Sequence, residues 1–169
     1  LEIKKGKNQN LEKLSLEGLI QEVIKDNFAH HKEATIILDF SEVSEIHFVK
    51  AYLKSIFYNF ISNAIKYQHP KRPPRIEIYT KNLKNKICLS FQDNGIGIDL
   101  KKYRHKLFGL YQRFHLEKEG KGIGLYLCKT QIEALGGQIE VQSEVGKGTR
   151  FDIYFKRIGE EAEANLSDK

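Results

Sequence analysis

Residues 48–67 read FVKAYLKSIFYNFISNAIKY, and this stretch decides how the chain is read. Val49, Leu53, Ile56, Phe60 and Ala64 recur at helical steps, with Phe57 and Ile61 beside them. That spacing predicts a long amphipathic helix with a wide apolar stripe. Asn59, Asn63 and Lys66 follow one another at steps of four and three, so they share another edge of the same helix. Asn is a poor interior helix former because its side chain competes for backbone hydrogen bonds. Two of them one turn apart fit either a solvated polar edge or a ligand-binding edge, and the helix by itself leaves both readings open.

Working outward, the helix should stop before Pro70. Upstream, Ser15 is a candidate N-cap for a helix bearing Leu16, Leu19, Ile20, Val23, Ile24 and Phe28. Residues 34–40, ATIILDF, read as a strand, residues 41–45 as a turn, and residues 46–48 as a short second strand. Downstream, residues 75–80 and 87–91 are two strands joined by a turn at KNLKNK. The second ends in Asp93-Asn94-Gly95-Ile96-Gly97-Ile98. Glycines allow tight turns and close approach to a ligand. An Asp at such a place can accept a hydrogen bond from a ligand amine, though an ordinary Asp-Asn-Gly turn reads the same way.

Residues 107–119 mix aromatics with charge and show no clear period. Gly120-Lys121-Gly122-Ile123-Gly124-Leu125 then opens a helix that Gly136-Gly137 ends. Glycines at a helix start, with free N–H groups and the positive end of the dipole, suit a phosphate. Two final strands, 138–142 and 150–155, flank a turn containing Gly146 and Gly148.

At 169 residues, 40% hydrophobic and 30% charged, the chain is long enough for one well-cored domain. The 2 cysteines, Cys88 and Cys128, have neither disulfide nor metal spacing and read as free thiols in a reducing, cytoplasmic compartment. No apolar run approaches the roughly 20 residues that span a bilayer. The net charge of +6 gathers in HPKRPPR (69–75) and KKYRHK (101–106). These runs are short and 22 acidic residues are spread along the chain, so they suit a solvated surface or a polyphosphate ligand better than a nucleic acid. The chain begins at Leu1 and contains no Met, which reads as a piece of a longer protein.

Each motif is weak alone, but their order and spacing are specific. Together they resemble the catalytic, ATP-binding domain of sensor histidine kinases, in the GHKL ATPase superfamily, over roughly residues 33–156. The resemblance implies an α+β fold: a two-layer α/β sandwich with a mixed sheet on three helices. It implies ATP and Mg2+ as cofactors. Asn63 would hold the magnesium ion that bridges the phosphates. Asn59 would face the γ-phosphate and the incoming histidine. Lys66 and Tyr67 would lie near the phosphates and the adenine or ribose side. Asp93 would read the adenine amine, with Gly95 and Gly97 in its turn. Phe108, Arg113 and Phe114 fall in the segment flanking a lid that is short here. Gly120, Gly122 and Gly124 would line the phosphates, with Lys121, Ile123 and Leu125 of the same motif beside them. Gly146, Gly148 and Thr149 would lie near the adenine.

The chemistry implied is phosphoryl transfer, in which Lys66 and Arg113 offset phosphate charge. Hydrolytic members of the superfamily carry a Glu where Asn59 stands, and an Asn cannot serve as a base at neutral pH. Transfer to a partner imidazole with slow hydrolysis is therefore expected, over a hydrolytic ATPase or a non-catalytic nucleotide-binding module. None of the 6 histidines sits in a phosphoacceptor context. The expected organisation is residues 1–32 as lead-in and first helix, 33–158 as the catalytic domain, and 159–169 as a disordered acidic tail. The dimerisation and phosphoacceptor domain would lie outside this chain, and a response regulator receiver domain would be the next partner. The domain itself would be monomeric within a homodimeric longer protein, without membrane contact.

Overall fold

Ser15 does cap the first helix. In the computed structural model, which describes residues 10–110 and 122–157, its hydroxyl accepts a hydrogen bond from the Gly18 N–H at 3.2 Å. Helix α1 (Leu16–Asn27) places Leu16, Leu19, Ile20 and Val23 in the core. A strand that the sequence did not announce precedes it. Strand β1 (Leu11–Ser15) pairs antiparallel with β3 (Glu45–Val49) in a two-stranded ribbon. Only Leu14 of β1 is buried, so it shows no alternating pattern to read.

Strand β3 runs directly into helix α2 (Lys50–Lys66), whose N-terminus has no side-chain cap. Phe48 thus ends the short strand expected at 46–48, while Val49, expected on the apolar stripe of the helix, belongs to the ribbon as well, opposite Leu11. The helix ends at Lys66, ahead of Pro70 as expected.

The main sheet has five strands in the order β2 (Thr35–Asp39), β4 (Arg75–Asn82), β5 (Lys86–Asp93), β7 (Gly148–Lys156) and β6 (Gln138–Glu144). The β2–β4 pair is parallel and the others antiparallel, so the sheet is mixed. Helices α1, α2 and α4 (Gly124–Ala134) form the second layer. A short α3 (Leu100–Tyr103) and a 3-10 turn (Arg104–Lys106) occupy the basic KKYRHK run, started by Asp99 accepting from the Lys101 and Lys102 N–H groups.

Between the layers, Phe60 of α2 packs on Phe91 of β5 and Phe151 of β7, at centroid distances of 4.7 and 4.8 Å. Phe57 reaches Phe91 as well, and Phe48 packs edge-on to Phe155. The packed body starts at β1, before the boundary expected at residue 33, because the apolar face of α1 lies in the same core as α2. Residues 159–169 lie outside the described part.

Candidate nucleotide site

The site assembles where the C-terminal half of α2, the turn after β5, the β6–β7 hairpin and the start of α4 meet. Asp93 ends β5 opposite Thr149 of β7. Its Oδ1 accepts from the Gly95 N–H at 2.8 Å and the Thr149 N–H at 3.3 Å. No donor among the described residues reaches its Oδ2. Burial pushes the Asp93 carboxyl above the ordinary carboxylate range, although the Gly95 and Thr149 N–H groups pull the other way. A desolvated carboxylate with one unpartnered oxygen is a ready acceptor for a ligand amine.

The glycines around Asp93 are there for close approach. A Cβ on Gly148, at φ 132°, would meet the Asp93 carbonyl oxygen at 2.0 Å, and one on Gly97, at φ 71°, would meet the Glu144 carbonyl at 2.1 Å. A Cβ on Gly95 would come within 2.5 Å of the Tyr67 carbonyl, which also accepts from the Ile96 N–H at 3.0 Å. The turn is thus pressed against the residue that follows α2. Tyr67 in turn closes that helix by donating its N–H to the Asn63 carbonyl at 2.9 Å. The chain of contacts links Asn63 and Asp93 through Tyr67, while the Lys66 ammonium lies 5.2 Å from the centre of the Tyr67 ring.

Asn63 is half-buried, and its side-chain amide makes no hydrogen bond among the described residues. Asn59 is tied down. Its Nδ2 donates to the Ser55 carbonyl at 2.9 Å and lies 3.3 Å from the Ser55 hydroxyl. A Cβ on Gly124 would meet the Asn59 Oδ1 at 2.8 Å, so glycine there lets α4 start hard against α2. The Cys128 thiol, one turn further along α4, is fully buried; burial pushes it up to about 12, although Asn59 pulls the other way. The two Asn residues therefore differ: Asn59 sits in the interhelical seam and Asn63 is left with its amide available.

Helix α4 begins at Gly124 after Gly122, which has φ 69°, and Ile123 provides no side-chain cap. Its first-turn N–H groups and dipole are thus presented uncapped by Ile123, as an anion site requires. Leu125 packs on the core edge. Phe108 is turned into the structure, edge-on to Phe151 at 6.3 Å and 5.4 Å from the Lys129 ammonium. Arg113, Phe114, Gly120 and Lys121, expected at the lid and the phosphates, lie outside the described residues.

Three contributors escaped the sequence. Arg72 spends its guanidinium on backbone carbonyls, so this member of the HPKRPPR run is no solvated or phosphate-facing charge. Ser143 accepts from the Ile98 N–H and donates to the Gly148 carbonyl, both at 2.8 Å. Asn94 accepts from the Arg75 N–H at 2.8 Å and donates to the Pro73 carbonyl at 3.1 Å. Asn94 had a signal in the Asp-Asn-Gly turn. Arg72 bonds only to groups remote in sequence, and Ser143 joins its own hairpin to the remote Ile98; neither had one.

Among the described residues no three His, Cys, Asp or Glu side chains gather to hold a metal ion. Among the described residues Asn63 offers an amide oxygen, so a cation fits here only if phosphates and water complete its shell. Magnesium, which prefers oxygen ligands and keeps several waters, would suit so sparse a protein ligand set.

A family model described as Histidine kinase-, DNA gyrase B-, and HSP90-like ATPase matches residues 49–158. The chain belongs to this family, and within it to the ATP-binding catalytic domains of the sensor histidine kinase type. It is 38% identical over 113 residues to cyanobacterial phytochrome A of Nostoc sp., covering 66% of this chain and 14% of that protein. It is 36% identical over 91 residues to the methanogenesis regulatory histidine kinase FilI of Methanothrix harundinacea, covering 54% of this chain and 10% of that protein. The chain thus spans a small fraction of these relatives' lengths. The fold matches the mycobacterial sensor histidine kinase MprB with a TM-score of 0.75 at 18% identity, over 88% of this chain and 98% of that one. No helix among the described residues is long and apolar enough to cross a membrane.

Proposed function

We propose that this domain binds ATP with Mg2+ and donates the γ-phosphoryl group to a histidine on a separate dimerisation and phosphoacceptor domain, for relay to a response regulator receiver domain. The observation that carries the reading is the make-up of α2. It presents Asn59 and Asn63 on one edge and contains no Asp or Glu at all. A helix facing the phosphates without a carboxylate has no base to activate water, which disfavours the hydrolytic alternative.

The geometry supports a division of labour along the site. The Oδ2 of Asp93 accepts the adenine amine while its Oδ1 stays fixed by two N–H groups. Gly95, Gly97 and Thr149 shape that end of the pocket. Asn63 supplies the oxygen ligand to magnesium, and the start of α4, with Gly122, Ile123, Gly124 and Leu125, receives phosphate. Lys66 and Tyr67 lie between these two ends, and Phe108 sets the base of the segment leading to Arg113, Gly120 and Lys121. Asn59, fixed against Ser55 and Gly124, holds the seam beside which the acceptor imidazole enters. Magnesium, when bound with the nucleotide, neutralises phosphate charge; the chain's own part is positioning. Its place is the cytoplasm, where ATP is at hand, within a homodimeric longer protein.

The test mixes the domain with the phosphoacceptor domain of the same protein and labelled ATP. Acid-labile, base-stable label on the acceptor is the expected result. Rapid release of free phosphate, with no label on the acceptor, would return the hydrolase reading.

A further inference from the structure

Arg72 lies in a loop that the nucleotide reading does not use. Its Nε donates to the Asn94 carbonyl at 2.8 Å. Its Nη2 donates to the Gly146 carbonyl at 2.7 Å and to the Gly95 carbonyl at 3.3 Å. One half-buried guanidinium thus binds three backbone carbonyls on two loops, 22, 23 and 74 residues away in sequence. The same loops touch directly where the Gly146 N–H donates to the Ile96 carbonyl at 2.7 Å. The loop that carries Arg72 is itself anchored to the turn through Asn94, which bonds Pro73 and Arg75 on either side of Pro74.

What these loops hold is the carboxylate of Asp93. Its Oδ1 takes one N–H from Gly95, on the first loop, and one from Thr149, at the foot of the hairpin that contains Gly146. If the loops part, the two N–H groups no longer converge on one oxygen, and the carboxylate can rotate. We propose that Arg72 is the positioning residue of the base pocket, clamping the turn to the hairpin so that Asp93 keeps its Oδ2 aimed at the adenine amine. The inference rests on the reading that Asp93 takes that amine.

The chemistry of the side chain suits the task. A planar guanidinium presents several N–H donors in a fixed fork and can span divergent carbonyls, whereas a lysine ammonium is a single point on a flexible stem. Donation by a charged group to carbonyls is among the stronger hydrogen bonds available. Commitment to backbone carbonyls also distinguishes Arg72 from a phosphate-binding arginine, which would point at the other end of the nucleotide.

The test compares ATP with purine riboside triphosphate, which lacks the 6-amino group, by calorimetric titration of the folded domain. Native protein should prefer ATP by roughly tenfold, the scale of one good buried hydrogen bond. Arg72→Met should cut that preference about threefold or more through loss of ATP affinity, leaving affinity for the analogue nearly unchanged. Arg72→Lys, which retains charge and stem, should lose most of the same preference and serves if Arg72→Met fails to fold. Equal weakening of both nucleotides, or an unchanged ratio, would overturn the assignment. Asp93→Ala run in parallel separates the two claims. If it leaves the ratio intact, the base-reading role of Asp93 fails and the clamp falls with it. If it collapses the ratio while the Arg72 variants do not, only the clamp fails.

Discussion

Asp93 is held in the folded chain at a cost. Burial raises its carboxyl above the ordinary range, so the folded state takes up a proton more readily than the unfolded chain. Between the unfolded and the raised folded pKa, the native state binds more protons, so stability falls as pH rises through that window, and the cost is complete above it. Asp93→Asn removes the charge and keeps an oxygen for the Gly95 and Thr149 N–H groups. The nucleotide-free variant should therefore melt higher than the native domain near neutral pH. The gap should close as pH drops to about 4, where the unfolded Asp is also protonating. The same change should weaken ATP, because the Asn amide turns a donor toward the adenine amine. Calorimetric melts across that pH range, with and without ATP, check both signs; a variant that melts lower at neutral pH would show that ionised Asp93 stabilises the fold. A residue that loosens the empty domain while serving the ligand is the usual mark of a functional site.

Helix α2 divides its work between two faces. Leu53, Ile56, Phe57, Phe60 and Ile61 are buried on the sheet side, while Asn59 and Asn63 stand on the site edge. This division was legible in the sequence, because side-chain spacing on a helix maps directly onto faces. So were the paired strands β4 and β5: Ile87, Leu89 and Phe91 alternate cleanly in the sequence, although Cys88 and Ser90 between them are buried as well. Legibility failed where a partner distant in sequence decides the outcome. Strand β1 buries only Leu14 and exists because β3 pairs with it, and Arg72 looked like surface charge until its carbonyls were brought to it. The anchor between the layers is Phe60, held between Phe91 and Phe151. Phe60→Ala should cost about 3–5 kcal/mol, a large share of a typical domain stability of about 5–15 kcal/mol. Phe60→Leu, which keeps most of the volume, should cost less than half as much. Urea denaturation followed by fluorescence or circular dichroism measures both; equal losses would mean that the aromatic ring itself, rather than the volume it fills, joins the layers.

For the molecule as a whole, the question is how much chain makes one cooperative unit. The sequence alone suggested that residues 1–32 lead into a catalytic domain beginning at 33. The packing argues for a unit that includes β1 and α1. Leu16 and Ile20 are fully buried, Val23 nearly so, and Phe28 stacks on Tyr58 of α2 at 5.5 Å. The Leu16 N–H donates to the Ser44 carbonyl at 3.0 Å, joining the start of α1 to the turn before β3. Removing residues 1–32 would uncover the faces of α2 and β3 that α1 and β1 occupy, and would leave β3 an unpaired edge open to other chains. Burial of three or four such side chains is worth roughly 1.5–3 kcal/mol each, together comparable to the whole stability of a domain. The Glu22–Lys54 ion pair at 2.8 Å is exposed and adds little to this. A chain starting at residue 10 should melt in one cooperative transition close to that of the full chain. A chain starting at residue 33 should lose the cooperative transition, bind a hydrophobic dye and self-associate. Differential scanning calorimetry with size-exclusion chromatography decides it: an unchanged melting temperature on deleting residues 1–32 would restore the boundary at 33 and reduce α1 to an appendage of the nucleotide-binding fold.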